Sequence, residues 1–184
     1  MSIASNDRLT AEDYRALPEG GQQYQLIEGD LHMAPAPNRF HQDILLNIAV
    51  IIAKFMETHP VGKLYPAPFD VYLNNENVFQ PDLVFIAREN YRVLTDAGVE
   101  GVPDLAIEIL SPRTAKLDRT AKRPVYAKSG VKELWLVDPE ATTVAVYYLQ
   151  QNASQPASVY STADQFTSGF FPGLVFSVAE IFKR

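Results

Sequence analysis

The sequence predicts an α/β domain: a central mixed β-sheet flanked by helices, preceded by an N-terminal helix and β-hairpin. Three observations lead there. One long segment has helical hydrophobic spacing, short apolar runs are cut by Pro, Asn and Gly, and the order of helix, hairpin, long helix, strands, helix, strands fits one mixed sheet with helices packed against it.

Each element has a local reason. Thr10-Ala-Glu-Asp places a capping residue three positions before an acid, so a short helix is expected from Ala11 to about Leu17, where Pro18 stops it. Residues 22–28 and 31–33 flank Gly29-Asp30 and read as a hairpin, and Pro35 and Pro37 then break the chain. Over residues 40–57, Ile44, Leu45, Ile48, Ile51, Ile52, Phe55 and Met56 recur at three and four, which is one face of a helix. After His59-Pro60 the runs 63–65, 69–73, 78–86 and 105–110 read as strands. Residues 88–102 form a polar connection that is mobile or holds one short helix. Ser111-Pro112 opens a helix through Lys128, ended by Ser129-Gly130, which Pro124 must kink or shorten. Residues 133–137 and 143–149 give two more strands around Asp138-Pro-Glu-Ala141. Residues 150–157 are a loop, and Ser177-Val-Ala-Glu180 caps a terminal helix.

Composition bounds the chemistry. At 184 residues, 47% apolar and 21% charged, the chain reads as one domain spanning 1–184, with residues 1–9 as a flexible tail. No apolar run approaches the roughly 18 residues of a membrane span. The start, Met-Ser-Ile-Ala-Ser-Asn-Asp, lacks the basic-then-apolar order of a signal peptide, so a cytoplasmic protein without membrane contact is expected. The absence of cysteine excludes disulfides, thiolate nucleophiles and Cys-ligated metals, and three scattered histidines leave little for a histidine cage, so any metal is oxygen-ligated. A net charge of −6 argues against coating nucleic acid by bulk charge, yet residues 113–123 hold five of the 16 cations with one acid. There is no Gly-rich phosphate loop and no Ser-His-Asp pattern.

Two acids sit where strand physics disfavours them. Asp82 interrupts the apolar run 78–86, and Glu108 interrupts Leu105-Ala-Ile-Glu-Ile-Leu110. Taken singly, each also fits a strand end or a lysine pair. If buried, each needs a cationic partner or a proton, and on neighbouring strands one divalent cation would serve both. Asp104 competes, but four residues along a strand place it about 13 Å from Glu108, too far for one ion. Trp135, Tyr147 and Tyr148 read as core or interface rather than base-stacking platforms, and Phe166, Phe170, Phe171, Val175 and Phe176 as groups that close the core or bury a dimer contact.

The segments Phe79-Gln-Pro-Asp82, Pro103-Asp-Leu-Ala-Ile-Glu108-Ile-Leu-Ser-Pro-Arg-Thr114, Asp118 with Lys122, and Tyr126-Ala-Lys-Ser-Gly-Val-Lys-Glu-Leu-Trp135-Leu-Val-Asp-Pro139 resemble the restriction-endonuclease family within the PD-(D/E)xK nuclease-like superfamily. With residues 24–29 and His41 the resemblance spans about residues 10–150. It implies a restriction-endonuclease-like fold and hydrolysis of nucleic acid, DNA first, with Mg²⁺ or Mn²⁺ held by Asp82, Glu108 and the backbone carbonyl of Ile109. The superfamily's usual lysine, two residues after the acid, is replaced by Leu110, and the resemblance gives its role to Lys122. Gln25 stands where the family commonly has an acid, and Glu28, three residues along a strand, faces away. Gln25, His41 and Asp118 are accessory candidates: Gln25 can still ligate through its amide oxygen, without adding charge, and His41 is a general base or phosphate contact, or else a solvated histidine at a helix start. Without the resemblance, Asp118 and Lys122 read as a surface pair worth about 0.3–0.5 kcal/mol. A homodimer is expected. One alternative keeps the fold without the reaction, as a nucleic-acid-binding or protein-interaction module; another is metal-free acid–base hydrolysis by the two carboxylates.

Overall fold

A computed structural model describes residues 8–18, 23–33 and 36–184. The tail expectation therefore lies outside the described residues for 1–7, as do the hairpin start at Gln22 and the break at Pro35. Leu9 is described, and its N–H donates to the Gly29 carbonyl at 2.9 Å.

The elements run α1 (Ala11–Arg15), β1 (Tyr24–Ile27), β2 (Asp30–Met33), α2 (Arg39–Met56), β3 (Gly62–Pro66), β4 (Val71–Asn74), β5 (Asn77–Phe79) and β6 (Leu83–Ala87). A 3₁₀ turn (Arg88–Val93) leads to β7 (Leu94–Thr95), β8 (Gly98–Glu100) and β9 (Leu105–Ile109). Then come α3 (Ala115–Leu117), a π turn (Asp118–Lys122), α4 (Arg123–Ser129), β10 (Glu133–Asp138), β11 (Thr143–Tyr148), β12 (Ser158–Ser161), β13 (Gln165–Phe166), β14 (Phe176–Ser177) and α5 (Val178–Ile181).

The α/β class with mixed sheets flanked by helices holds, but the strands form two six-stranded sheets rather than one, ordered β2-β1-β5-β4-β8-β7 and β12-β11-β10-β9-β6-β3, with β13 and β14 as a separate two-stranded pair. The run 78–86 is the reason. Pro81 has no N–H to give a ladder, so the chain leaves the first sheet after Phe79 and enters the second at Leu83, with Asp82 at the corner. In the second sheet β9 and β10 are parallel, joined across the helical segment 115–129, and the other pairs are antiparallel.

Burial follows the pleat of the second sheet. Leu83, Phe85, Leu105, Ile107, Trp135 and Val137 join Ile44, Ile48 and Ile52 of α2 and the rings of Phe166, Phe171 and Phe176 on one face. Val84, Ile86, Ala106, Leu134 and Leu136 pack with Val125 and Tyr126 of α4 on the other. The C-terminal aromatics thus close the core, while Val175 stays 51% exposed.

Smaller departures have plain causes. The hairpin turn is Glu28-Gly29, both at positive φ, and Asp30 already pairs with Ile27. Thr10 forms the expected capping box with Asp13, but Ser177 makes no side-chain cap to α5. Residues 88–102 hold two short strands besides the helical turn. Pro124 does not break its helix: the π turn just before it lets the Arg123 N–H reach the Asp118 carbonyl, and Gly130, at φ 104°, ends α4.

Candidate active site

Asp82 and Glu108 come from neighbouring strands. Leu83 pairs with Ile107 across β6 and β9, so continuing the antiparallel register sets Asp82 opposite Glu108 on one face. The Asp82 Oδ2 accepts the Ile109 N–H at 2.6 Å, and its Oδ1 lies 3.2 Å from His41 Nε2. Asn38 makes this possible by capping α2: its side chain accepts the His41 N–H at 2.9 Å and fixes the first turn.

Glu108 is 3% exposed in a central strand. Its Oε1 lies 2.5 Å from Lys122 Nζ and accepts the Tyr126 hydroxyl at 2.6 Å. Lys122 Nζ also lies 3.1 Å from Asp118 Oδ1. The surface-pair expectation is corrected here: Asp118 is 3% and Lys122 2% exposed, because this face of the helix packs onto the sheet above Glu108. The Phe79 ring flanks the ammonium at 5.7 Å.

Gln25, His41, Asp82, Glu108, Ile109, Asp118 and Lys122 all line one cavity of about 660 Å³. Every residue singled out for the site is in that lining. Gln25, 8% exposed, accepts the Gln80 N–H through its side-chain oxygen at 3.1 Å, whereas Glu28 sits exposed in the hairpin turn. His41 is 7% exposed rather than solvated, and its Nδ1 is buried without a hydrogen-bond partner. Asp104 stands apart, accepting the Ala87 N–H and pairing with Lys132.

Sequence reasoning missed Tyr126 as a site residue. The available signal was spacing, since Asp118, Lys122 and Tyr126 follow at steps of four along one helical segment.

Burial and neighbouring charges shift three titratable groups of the site. Burial pushes the Glu108 carboxyl up, and Asp118 and Asp82 add to that against the pull of Lys122, reaching about 8. For Lys122 burial works the other way, but Asp118 and then Glu108 outweigh it and hold the ammonium above the ordinary lysine value. His41 is likewise raised: burial lowers it, and the hydrogen bond and charge of Asp82, with the Ile109 backbone, more than offset that.

Glu108 and Asp118 flank the Lys122 ammonium, and Asp82 faces His41. The Lys122 and Tyr126 contacts with Glu108 both fall on Oε1. Among the described residues no three His, Cys, Asp or Glu side chains converge as a metal cluster; the oxygens that would hold a cation in this cavity are those of Asp82 and Glu108, with the Ile109 carbonyl as a third donor. Those hard oxygens are of the kind that suit Mg²⁺ or Mn²⁺.

A family model described as Uma2, putative restriction endonuclease, matches residues 11–179. The chain belongs to that family. The Uma2 match takes in all of the residues just described. The crystal structure of a putative nuclease belonging to DUF820 from Anabaena variabilis ATCC 29413 is similar in fold, with a TM-score of 0.79 at 22% identity, over 95% of this chain and 97% of that one. No curated protein matches the chain. Among the described residues no helix is long and apolar enough to cross a membrane.

Proposed function

We propose that this protein is a divalent-metal-dependent nuclease that hydrolyses phosphodiester bonds of DNA. The carrying observation is the meeting of Asp82, Glu108 and the buried ammonium of Lys122 in one cavity. Family membership supports the reaction class.

In this reading Asp82 and Glu108 hold Mg²⁺ or Mn²⁺, with the Ile109 carbonyl as third donor. When bound, the cation supplies an acidified water and neutralises phosphoryl oxygens. Lys122 stays charged because Asp118, and then Glu108, hold its ammonium, so it serves as fixed positive charge for the developing phosphorane rather than as a base. Tyr126 and Asp118 are positioning residues: the first holds Glu108, the second holds Lys122. Asp82 pairs with His41 Nε2 and keeps the imidazole in the cavity lining as a group that can carry a proton.

Incubation of plasmid DNA with Mg²⁺ or Mn²⁺ tests the reading. Asp82→Ala and Glu108→Gln are each expected to lower cleavage by more than about 100-fold, beyond what outer-shell changes around a metal produce. Full cleavage by both variants, or undiminished cleavage in chelator, overturns it; the latter outcome would favour metal-free acid–base hydrolysis.

A second reading, a nuclease-fold module that binds without cutting, is favoured by one observation. The ionic groups already satisfy one another through Glu108 with Lys122 and Asp82 with His41. Calorimetric titration with Mn²⁺ separates the two: a saturable site lost in Asp82→Ala supports the nuclease, and the absence of saturable heat supports the module.

A further inference from the structure

Beside the main cavity lies a second cleft, of about 530 Å³, between β2 and α3. His32, Met33, Arg113, Lys116, Leu117 and Thr120 line it, and no carboxylate does. Arg113 and Thr114 line both cavities, so the two share a wall.

The cations of residues 113–123 divide sharply. Arg119 pairs with Asp138 at 2.6 Å, Lys122 is held by Glu108 and Asp118, and Arg123 donates to the Ser154 carbonyl at 2.9 Å. Arg113 and Lys116 are exposed and, among the described residues, enter no ion pair. These two are the cations of the segment that line the second cleft. In a chain of net charge −6, an acid-free cleft with two uncommitted cations beside an acid-floored cavity is complementary to a polyanion that has one phosphate at the acids and others displaced along its chain. Met33, 56% exposed, adds apolar surface of the kind a sugar edge can cover.

We propose that this cleft seats the sugar–phosphate backbone of a DNA strand whose scissile phosphate lies in the main cavity, with Arg113 and Lys116 each neutralising one flanking phosphate. The inference rests on the nuclease reading and adds where the substrate runs. Contacts of this type position the strand without reading its sequence.

The test is fluorescence anisotropy of a fluorescein-labelled DNA duplex, titrated across NaCl concentrations in chelator so that cleavage is off. Each phosphate contact contributes about 0.9 to the slope of log K against log salt, so Arg113→Ala with Lys116→Ala is expected to reduce the slope by about 1.8. Lys54→Ala with Lys128→Ala removes the same charge from exposed positions that line neither cavity, and is expected to keep the slope. An unchanged slope in the first double variant, or an equal fall in the second, overturns the proposal. Cleavage assays keep the two readings apart. If the wild type cuts and Arg113→Ala with Lys116→Ala leaves KM unchanged, the cleft is wrong and the nuclease stands. If the wild type neither binds nor cuts DNA, both fall.

Discussion

Two glutamates on adjacent strands of the second sheet are buried almost equally, and their surroundings give them opposite characters. Glu108 on β9 is 3% exposed and Glu133 on β10 is 2%. Glu108 faces an ammonium and a phenol at the edge of a cavity. Glu133 lies on the other face, where it accepts the Trp135 indole N–H at 2.6 Å and the Ser168 hydroxyl at 3.1 Å. Burial pushes the Glu133 carboxyl up, and those two hydrogen bonds pull it only part of the way back. Burial alone therefore does not single out a candidate site acid. What separates the pair is whether charged partners and an open volume accompany it.

The largest expected effect breaks the charged side of this comparison. Lys122→Met leaves Glu108 and Asp118 buried without a counter-charge and is expected to cost about 3–5 kcal/mol of stability, read from urea unfolding, together with loss of cleavage. Next comes the pH dependence of metal binding. A metal must displace the proton that Glu108 holds up to about 8, so Mn²⁺ affinity should rise about tenfold per pH unit from pH 6 and level off above that value. Titration calorimetry at several pH values, in buffers of different ionisation enthalpy, checks both the slope and the proton released. Tyr126→Phe removes a donor from a buried carboxylate and is expected to lower stability by about 1–3 kcal/mol, seen as a lower urea midpoint.

The smallest effect lies on the neutral side. Because folding raises the Glu133 value, its contribution is full below the unfolded value near 4.3 and is lost as pH rises through the folded one. Glu133→Gln keeps acceptor and donor without the titration. Its melting temperature should match the wild type at low pH and exceed it at pH 8, with cleavage unaltered. A variant that instead loses cleavage would erase the distinction between the two acids.

Asp82 and Glu108 were legible as acids because each breaks an apolar run, and register needs only neighbouring strands to bring them together. The long α2 helix was equally legible, since its apolar positions repeat over 18 residues. Burial of Lys122 was not: spacing of four from an acid looks the same on a wet face as on a dry one, and only packing onto β9 decides. The division into two sheets hid inside 78–86, whose composition is that of one strand although Pro81 turns it. Glu133 escaped notice because it opens its strand, where an acid attracts no suspicion until the C-terminal segment folds over it.

The corner at Gln80-Pro81-Asp82 has an evolutionary corollary. Asp82 hangs from the rim of the sheet with its side chain 19% accessible, whereas Glu108 and Lys122 are sealed within it at 4% and 2%. In the proposed nuclease, a change at the rim is expected to silence cleavage with little effect on the scaffold, whereas a change at the sealed pair is expected to endanger the scaffold as well. Lineages that abandon cutting but keep the protein should therefore lose the aspartate first and carry the glutamate and lysine longest, as relics that hold the molecule together.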